Sequence, residues 1–182
     1  MIDVEALAAL MSGDRCRAEL FAEQHRDALR AACTEDRDIW AIYSLNFGPP
    51  DFDKTIDWFA GRPNNRTFVL FDGEELAGMS SFISIDEGRQ SLEIGATYYR
   101  PHVRGTGFNR RVKAMMLGRA FECGIRRVAF RVDRRNGRSQ TAMKKLGAVR
   151  EGVLRADRIT WNGHVRDTVL FAILRDEYDG LP

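Results

Sequence analysis

The sequence predicts an α+β fold, a single domain in which helices surround a mixed, mostly antiparallel central sheet. Short alternating runs separated by turn residues recur along the chain and are typical of strands joined by hairpins. Other segments have the spacing of helices. The length of 182 residues is close to that of one domain, and no repeat, low-complexity tract or linker divides it. We therefore expect one domain over residues 1–182.

The first ninety residues are predicted to contain short helices and one hairpin. The expected elements, in order, are a strand over 15–21, helices over 24–33 and 37–44, a helix from the N-cap Asp53 to about Phe59, and strands over 67–71 and 76–85. Breaks at 46–50 and 61–65 bound the helix that begins at Asp53. Asp72-Gly73 is typical of the turn in a β-hairpin.

The second half is predicted to alternate between strands and helices. The expected elements are strands over 92–99, 127–132, 149–159 and 165–174, and helices over 109–123 and 139–146. In the longer helix Val112, Met116 and Ala120 follow helical spacing. Asn162-Gly163 predicts a tight turn between the last two strands.

A glycine-bearing turn joins the strand over 92–99 to the helix over 109–123. It reads Arg100-Pro101-His102-Val103-Arg104-Gly105-Thr106-Gly107-Phe108-Asn109. Glycines let the backbone bend close to a ligand, and the first N–H groups of a helix have no partner within the helix. A phosphate can accept hydrogen bonds from those groups and is further favoured by the helix dipole. The turn therefore predicts a site for a phosphorylated ligand.

Two other kinds of phosphate loop are excluded. The dinucleotide-binding fingerprint would require glycine at the position of Arg110. The P-loop pattern, G-x-x-x-x-G-K followed by Ser or Thr, does not occur. Taken alone, the turn fits equally well a helix that merely begins with glycines.

Several spaced motifs resemble the GNAT acetyltransferase superfamily, which binds acetyl-CoA. Its phosphate loop has Gln or Arg, then x-x-G-x, then Gly or Ala, and residues 102–107 match it except for His102 at the first position. Residues 136–139 and 145–148 are similar to its second helix start and the turn that follows. The closing segments 151–155 and 162–167 resemble the branch that acetylates protein N-termini, including those of ribosomal proteins.

The resemblance implies acetyl-CoA as cofactor and assigns the residues that bind it. In this superfamily the strand before the loop is splayed from its neighbour, and its free N–H groups face the thioester and the pantetheine arm. Asn136 would hydrogen-bond that arm. The implied cofactor-binding residues are Thr97, Tyr98, Tyr99, Arg104, Gly105, Thr106, Gly107, Phe108, Asn109, Asn136 and Ser139.

Two residues are candidates for the acetyl transfer itself. Glu93 is the candidate general base, and strand alternation places it on one face with Gly95 and Thr97. Its carboxylate could instead bind a cationic substrate or pair with an arginine. Ser139 could donate a proton to the departing sulfur, or it could only make a helix-start hydrogen bond. Many superfamily members use a Tyr for this donation, and here that position is Met143.

Charge is distributed unevenly along the chain. The net charge is −9 over residues 1–99, +13 over 100–150 and −2 over 151–182, which adds to +2. A basic segment around a glycine loop suits a ligand with several phosphates, as coenzyme A has. It also suits a nucleic acid, which a basic patch binds without sequence specificity. The acidic first part would attract a cationic acceptor such as an amine.

Composition favours a cytoplasmic protein without metal. Cys16, Cys33 and Cys123 form no C-x-x-C pair, and the three histidines do not form a metal-binding pattern. No signal peptide or membrane-spanning run is expected. We expect no nucleic-acid or membrane partner, and the resemblance leaves a homodimer open.

The expected function is transfer of an acetyl group from acetyl-CoA to a primary amine by direct attack in a ternary complex. The branch resemblance favours a peptide or protein N-terminus as the acceptor. A small amine, such as a polyamine or an aminoglycoside, and a longer acyl group, such as succinyl, are alternatives. Two further alternatives are a non-catalytic acyl-CoA-binding module and a nucleic-acid-binding protein.

Overall fold

The computed structural model describes residues 2–180, and its strands form one eight-stranded sheet. The strands are β1 (Met11–Gly13), β2 (Cys16–Leu20), β3 (Arg66–Asp72), β4 (Glu75–Asp86), β5 (Ser91–Tyr99), β6 (Arg127–Asp133), β7 (Val149–Ile159) and β8 (Val165–Leu174). Their order is β1-β2-β3-β4-β5-β6-β8-β7, and of the described neighbouring pairs only β5 and β6 run parallel. The α+β class and the mixed, mostly antiparallel sheet are confirmed. The predicted domain bounds include residues 1, 181 and 182, which lie outside the described residues.

Helices cover both faces of the sheet. The α-helices within residues 2–180 are α1 (Val4–Ala8), α2 (Arg26–Ala32), α3 (Phe52–Ala60), α4 (Phe108–Glu122) and α5 (Gly137–Lys145). Leu7 of α1, Val112 of α4 and Met143 of α5 are buried in the core on one side, which we call the α4 face. Leu29 of α2 and Ile56 of α3 are buried in the core on the other side, the α2–α3 face.

Two elements near the N-terminus were not predicted, because they are too short to show a period. Helix α1 has five residues and β1 has three. The helix expected over 37–44 is a short 3-10 helix, Asp38–Ile42. The last two strands, in contrast, coincide with β7 and β8, because alternating patterns and an Asn-Gly turn bound them clearly.

Asp53 is not the N-cap of α3, so that prediction is wrong. The helix begins at Phe52 after Asp51, whose side chain makes no capping hydrogen bond. Asp53 lies in the first turn, where its carboxylate accepts hydrogen bonds from Nε (3.0 Å) and Nη2 (2.7 Å) of Arg30. A bidentate, charge-assisted contact of this kind is stronger than a neutral hydrogen bond. It therefore joins α3 to α2 instead of capping α3.

A β-bulge reverses the side to which β5 residues point. Gly95 pairs with Ser81 and Tyr98 with Met79, so two residues of β5 oppose Ser80. Ala96 lies within this bulge at φ +47°. Before the bulge, the side chains of Leu92 and Ile94 point to the α4 face. After it, Tyr98 belongs to the α2–α3 face and Tyr99 packs against the α4 face.

The bulge overturns the expectation that Glu93 and Thr97 share a face. Glu93 alternates with Leu92 and Ile94 and so points to the α2–α3 face. The Thr97 hydroxyl instead lies 2.9 Å from Nζ of Lys113 on α4. Sequence alternation fails here because one extra residue in a strand moves every later side chain to the opposite face.

The sheet opens between β5 and β6. These strands pair only at Ser91–Arg127, Leu92–Val128 and Glu93–Ala129. The remainder of β5 has no pairing with β6, so its outer edge faces a cleft. The tip of the β7–β8 hairpin closes one side of the cleft, since Trp161 donates from its backbone N–H to Ser44 O (3.2 Å) and from Nε1 to Trp40 O (2.9 Å).

Candidate active site

A cleft of about 1990 Å³ occupies the opening between β5 and β6. At one end lie the turn over residues 104–109 and the first turn of α5; we call this the glycine-loop end. At the other end the cleft reaches the α2–α3 face of the sheet beside Glu93; we call this the Glu93 end. Most of the residues that the sequence singled out line this one cleft, including Glu93, Gly105 and Asn136. Tyr98, Thr106 and Phe108 do not line it.

Five consecutive backbone donors are free at the glycine-loop end. Within the described chain, the N–H groups of residues 105–109 have no hydrogen-bond acceptor, whereas those of Val103 and Arg104 donate to Arg100 O and Pro101 O. Gly105 and Gly107 have φ values of +83° and +84°, which residues with a Cβ rarely adopt. The free donors end at the N-terminus of α4, where the helix dipole adds positive potential. This arrangement suits a ligand with more than one phosphate.

Side chains of the turn hold its shape. Arg104 donates from Nε to Tyr99 O (2.8 Å) and forms an ion pair with Asp36. The Tyr99 hydroxyl donates to Asn109 Oδ1 (2.9 Å), and the Thr106 hydroxyl donates to Val103 O (2.8 Å). Phe108 is fully buried in the core. At these positions the side chains brace the loop, and the backbone presents the donors to the cleft.

The outer edge of β5 presents backbone groups to the cleft. Arg100 N–H donates to Ala77 O on β4 (2.9 Å), and Tyr98 pairs with Met79 of β4, so the backbone groups of Tyr98 face β4. The carbonyls of Thr97 and Tyr99 point the other way, and they accept from the Tyr43 hydroxyl (2.6 Å) and from Arg104. Because N–H and C=O of one extended residue share a side, the N–H groups that face the cleft belong to Thr97 and Tyr99.

Asn136 and Ser139 meet at the start of α5. Asn136 Oδ1 accepts from the backbone N–H of Ser139 (2.9 Å) and so caps the helix. Within residues 2–180, Nδ2 of Asn136 and Oγ of Ser139 have no hydrogen-bond partner, and both residues line the cleft. The cap therefore fixes the Asn136 side chain and leaves its donor free.

Glu93 is partly buried among arginines. Its side chain is 18% exposed, and Oε2 lies 3.3 Å from Nε of Arg131. Burial raises the pKa of the Glu93 carboxyl, while the guanidinium groups of Arg131, Arg158 and Arg166 oppose this shift. A Cβ at Gly95 would lie 2.9 Å from Glu93 Oε1, so glycine there makes room for the carboxylate.

Lys113 was not singled out from the sequence, yet it lines the cleft. It is 3% exposed, and Nζ lies 2.9 Å from Thr97 Oγ1 and 3.4 Å from Ser80 Oγ. Within the described residues, no carboxylate lies within 4.0 Å of this amine. Burial lowers the pKa of Lys113 to about 7. The sequence held one sign of this burial. Lys113 directly follows Val112, which lies on the apolar side of the predicted helix.

One wall of the cleft is partly apolar. Trp58 lines the cleft and is 54% exposed, whereas Trp40 belongs to the core. Phe47 borders the cleft, but its side chain is only 1% exposed and belongs mainly to the core. Ile39 and Ile83 complete this wall.

The remaining sequence features lie apart from the cleft. His102 is exposed beside Glu75, and His25 contacts Glu19. In the part of the chain that the structure describes, no group of three or more His, Cys, Asp or Glu side chains is placed to hold a metal ion. The described residues also contain no helix that is long and apolar enough to cross a bilayer.

Comparisons with known proteins agree with this geometry. The family model of the acetyltransferase (GNAT) domain matches residues 15–149. A protein from T. thermophilus assigned as an acetyltransferase has 32% identity and a TM-score of 0.84, with 93% of this chain and 90% of the other covered. A protein of Chromobacterium violaceum assigned to the GNAT family has 26% identity, a TM-score of 0.86 and coverages of 94% and 89%.

A more distant structure shares the fold. Spermidine N-acetyltransferase from Vibrio cholerae, solved with CoA and spermine, has 20% identity, a TM-score of 0.74 and coverages of 91% and 99%. No curated protein sequence matches this chain significantly.

We expect Lys113→Met to stabilise the protein most at and below pH 7. Below that pH the amine is protonated in the folded and the unfolded state, so the full cost of burying its charge is present. Between about pH 7 and about pH 10 only the unfolded state keeps the proton, and the wild type regains up to ~1.4 kcal/mol per pH unit. The gap in free energy of unfolding between variant and wild type should therefore shrink as pH rises.

Urea unfolding over this pH range measures the gap. Lys54→Met is the control, because Lys54 is exposed on α3. A gap for Lys113→Met that does not change with pH would contradict the expectation.

Proposed function

The chain belongs to the GNAT acetyltransferase family, and we propose that it acetylates a primary amine by direct attack in a ternary complex, with a peptide or protein N-terminus as the favoured acceptor. The five free N–H groups of residues 105–109 carry this proposal, because they provide the phosphate site that the donor requires. The cleft also reaches a carboxylate, Glu93, at its other end.

The residues of the cleft fit acetyl-CoA, which supplies an activated acetyl thioester when it is bound. The N–H groups of residues 105–109 would hold the pyrophosphate, and Arg110 and Arg138 line the same end of the cleft. Nδ2 of Asn136 would donate to the pantetheine arm. The N–H groups of Thr97 and Tyr99 would donate to the thioester end, where backbone donors can contribute ~2.7–4 kcal/mol each to stabilising developing negative charge.

Glu93 can act either as the general base or as an anchor for the acceptor. As a general base it would accept the proton of the attacking amine, directly or through water, and the raised pKa of its carboxyl brings it closer to neutral pH. As an anchor it would only bind the ammonium form of the acceptor. Its contact with Arg131 keeps the carboxylate in place for either role.

Ser139 is the candidate proton donor for the departing thiol. Its hydroxyl has no partner among residues 2–180 and lines the cleft one helical turn after Asn136. Met143 is 4% exposed in the core, so no hydroxyl replaces the superfamily's usual Tyr at that position. Without a donor the thiolate would leave unaided, which a thiol with a pKa of ~8.5 permits.

The size of the cleft supports a ternary complex. Its volume, about 1990 Å³, exceeds the roughly 300–1,000 Å³ of sites for one small ligand. Donor and acceptor can therefore occupy it together.

A small amine such as a polyamine or an aminoglycoside is the alternative acceptor, and succinyl is the alternative acyl group. Cytoplasmic location and a homodimer stay predictions.

The phosphate site is tested with Gly105→Asp/Gly107→Asp. We expect loss of acetyl-CoA binding, because two carboxylates would face the phosphates and strain would distort the turn. Isothermal titration calorimetry with acetyl-CoA and with CoA measures this loss. Gly73→Asp is the matched control, since Gly73 also has a positive φ (+61°) but lies in the β3–β4 turn. Binding that survives in the double variant would place the cofactor elsewhere.

The base role of Glu93 is tested with Glu93→Gln. If Glu93 is the base, kcat falls ~10²–10⁴-fold and the acidic limb of the pH–rate profile disappears. If it is an anchor, KM for the acceptor rises while the shape of the kcat profile stays the same. Glu151→Gln is the control, because Glu151 also pairs with an arginine but lies outside the cleft. Full-rate turnover of Glu93→Gln at every pH would exclude the base role.

Ser139→Ala tests the proton donor. We expect kcat to fall by at least about tenfold. The affinity for acetyl-CoA should stay the same, since the backbone N–H of residue 139 still completes the Asn136 cap. The measurement is steady-state kinetics beside calorimetry, and an unchanged kcat would dismiss Ser139 as the donor.

A further inference from the structure

The sheet face beside Glu93 is open. The core on the α2–α3 face includes Val69 of β3, Met79 of β4 and Tyr98 of β5, and among the described residues it includes none from β6, β7 or β8. The same face of those three strands therefore forms a floor of the cleft. Polar side chains on this floor can remain exposed to the cleft, because no helix within residues 2–180 packs over them.

Three arginines stand on this floor, one from each strand. Arg131 lies on β6, Arg158 on β7 and Arg166 on β8, and all three line the cleft. Arg131 Nε is 3.3 Å from Glu93, and Arg131 Nη1 is 3.9 Å from Asp157. Arg158 Nε is 3.0 Å from the same Asp157. The carboxylates of Glu93 and Asp157 thus balance the charges of Arg131 and Arg158.

Arg166 is left as an excess positive charge. Its guanidinium donates to two neutral acceptors, Ser44 Oγ and Arg131 O, and Nε has no hydrogen-bond partner within residues 2–180. Its nearest described carboxylate is Asp133 at 4.0 Å, and Asp133 is already bound by Arg135 through Nε (3.0 Å) and Nη2 (2.8 Å). The Arg166 side chain is only 7% exposed, so water screens this charge weakly.

Arg131 and Arg158 are exposed to the cleft, whereas Arg166 is almost entirely buried. The side chains of Arg131 and Arg158 are 36% and 40% exposed. In the described residues, Nη2 of Arg131 donates no hydrogen bond. Planar guanidinium groups bind carboxylates through paired N–H donors. The buried Arg166 adds positive potential behind them.

We propose that the acceptor carries an anionic group, such as a carboxylate, close to its amine, and that Arg131 and Arg158 bind that group while the amine lies at Glu93. This inference rests on the proposed acetylation of an amine and names the class of acceptor. A free amino acid supplies such a group as its α-carboxylate, and a peptide supplies it as the side chain of an acidic first residue. A polyamine, which carries only positive charges, meets the excess of arginines and is a poor acceptor.

Matched acceptors test the charge requirement. Leucine and leucinamide differ in the α-carboxylate, and their kcat/KM values are compared per unprotonated amine because the amide group also makes the amine less basic. The C-terminally amidated tripeptides Asp-Ala-Ala and Asn-Ala-Ala differ in the side-chain carboxylate alone, and spermidine represents the polyamines. We expect kcat/KM to be about 10- to 100-fold higher for the acidic member of at least one pair, as loss of a charged hydrogen bond implies. The pair that shows the preference identifies the source of the carboxylate.

Variants test the assignment to Arg131. In Arg131→Gln the preference for the acidic member should shrink at least about fivefold, mainly through KM, with unchanged affinity for acetyl-CoA. Arg158→Gln should act in the same direction. Arg134→Gln is the control, because Arg134 is an exposed β6-end arginine that lies outside the cleft and pairs with Asp167. Melting temperatures show whether each variant is folded.

The outcomes separate the class of acceptor from the proposed function. Equal or better turnover of the neutral member in both pairs, or of spermidine relative to both acidic members, overturns the inference and leaves amine acetylation intact. If no compound is acetylated, the proposed function fails, and calorimetric binding of the same pairs to the CoA-loaded protein then tests the anion site alone. Preferential binding of the acidic member that Arg131→Gln weakens supports the site, and binding without preference overturns it.

Discussion

The separation of β5 from β6 after Glu93 is the constraint on which the rest of the structure depends. Buried backbone groups in a sheet are almost always paired, so a strand that loses its neighbour must find other partners. Here the Tyr43 hydroxyl and the Arg104 guanidinium bind the carbonyls of Thr97 and Tyr99. The N–H groups of the same residues stay free, and they give the cleft its donors. A fully paired sheet would have neither the cleft nor these donors.

The bulge that accompanies this separation is held by polar contacts that are costly to bury. Ala96 adopts a left-handed conformation at φ +47°, which for a residue other than glycine costs of order 1–3 kcal/mol. Thr97, Ser80 and Lys113 form a small network beneath it, with Ser80 Oγ 2.7 Å from Thr97 Oγ1. A buried amine whose hydrogen bonds are made only to hydroxyls lowers stability further. Strained backbone and a lysine with a lowered pKa at one place are typical of a functional site rather than of a packing core.

Sequence reasoning succeeded where one local pattern determines the structure. The turn at residues 104–109 and the Asn-Gly hairpin carry their own conformational signals, so fold class and loop position could be predicted. It failed at Ala96, because a one-residue bulge has no signature in an alternating pattern and moves Thr97 to the other face. It also missed Lys113, since a polar residue on the buried side of a helix is recognised only when packing is known. The arginine floor beside Glu93 joins residues from three strands, and no local pattern indicates it.

The uneven charge of the sequence has a structural explanation that favours the arginine floor. Carboxylates of the acidic first part pair with the basic middle, as Arg100 does with Glu35 and Glu75, and Arg111 with Asp72. Such partly exposed pairs contribute only ~0.2–1 kcal/mol each, but they offset part of the field that would draw a cationic acceptor or a nucleic acid. The charges that remain unpaired among the described residues include Arg110 and Arg138 at the glycine-loop end. The excess charge of Arg166 remains at the Glu93 end. Both ends of the cleft are thus positive. Phosphates complement the charge of the glycine-loop end, and an acceptor with its own negative group complements the charge of the Glu93 end.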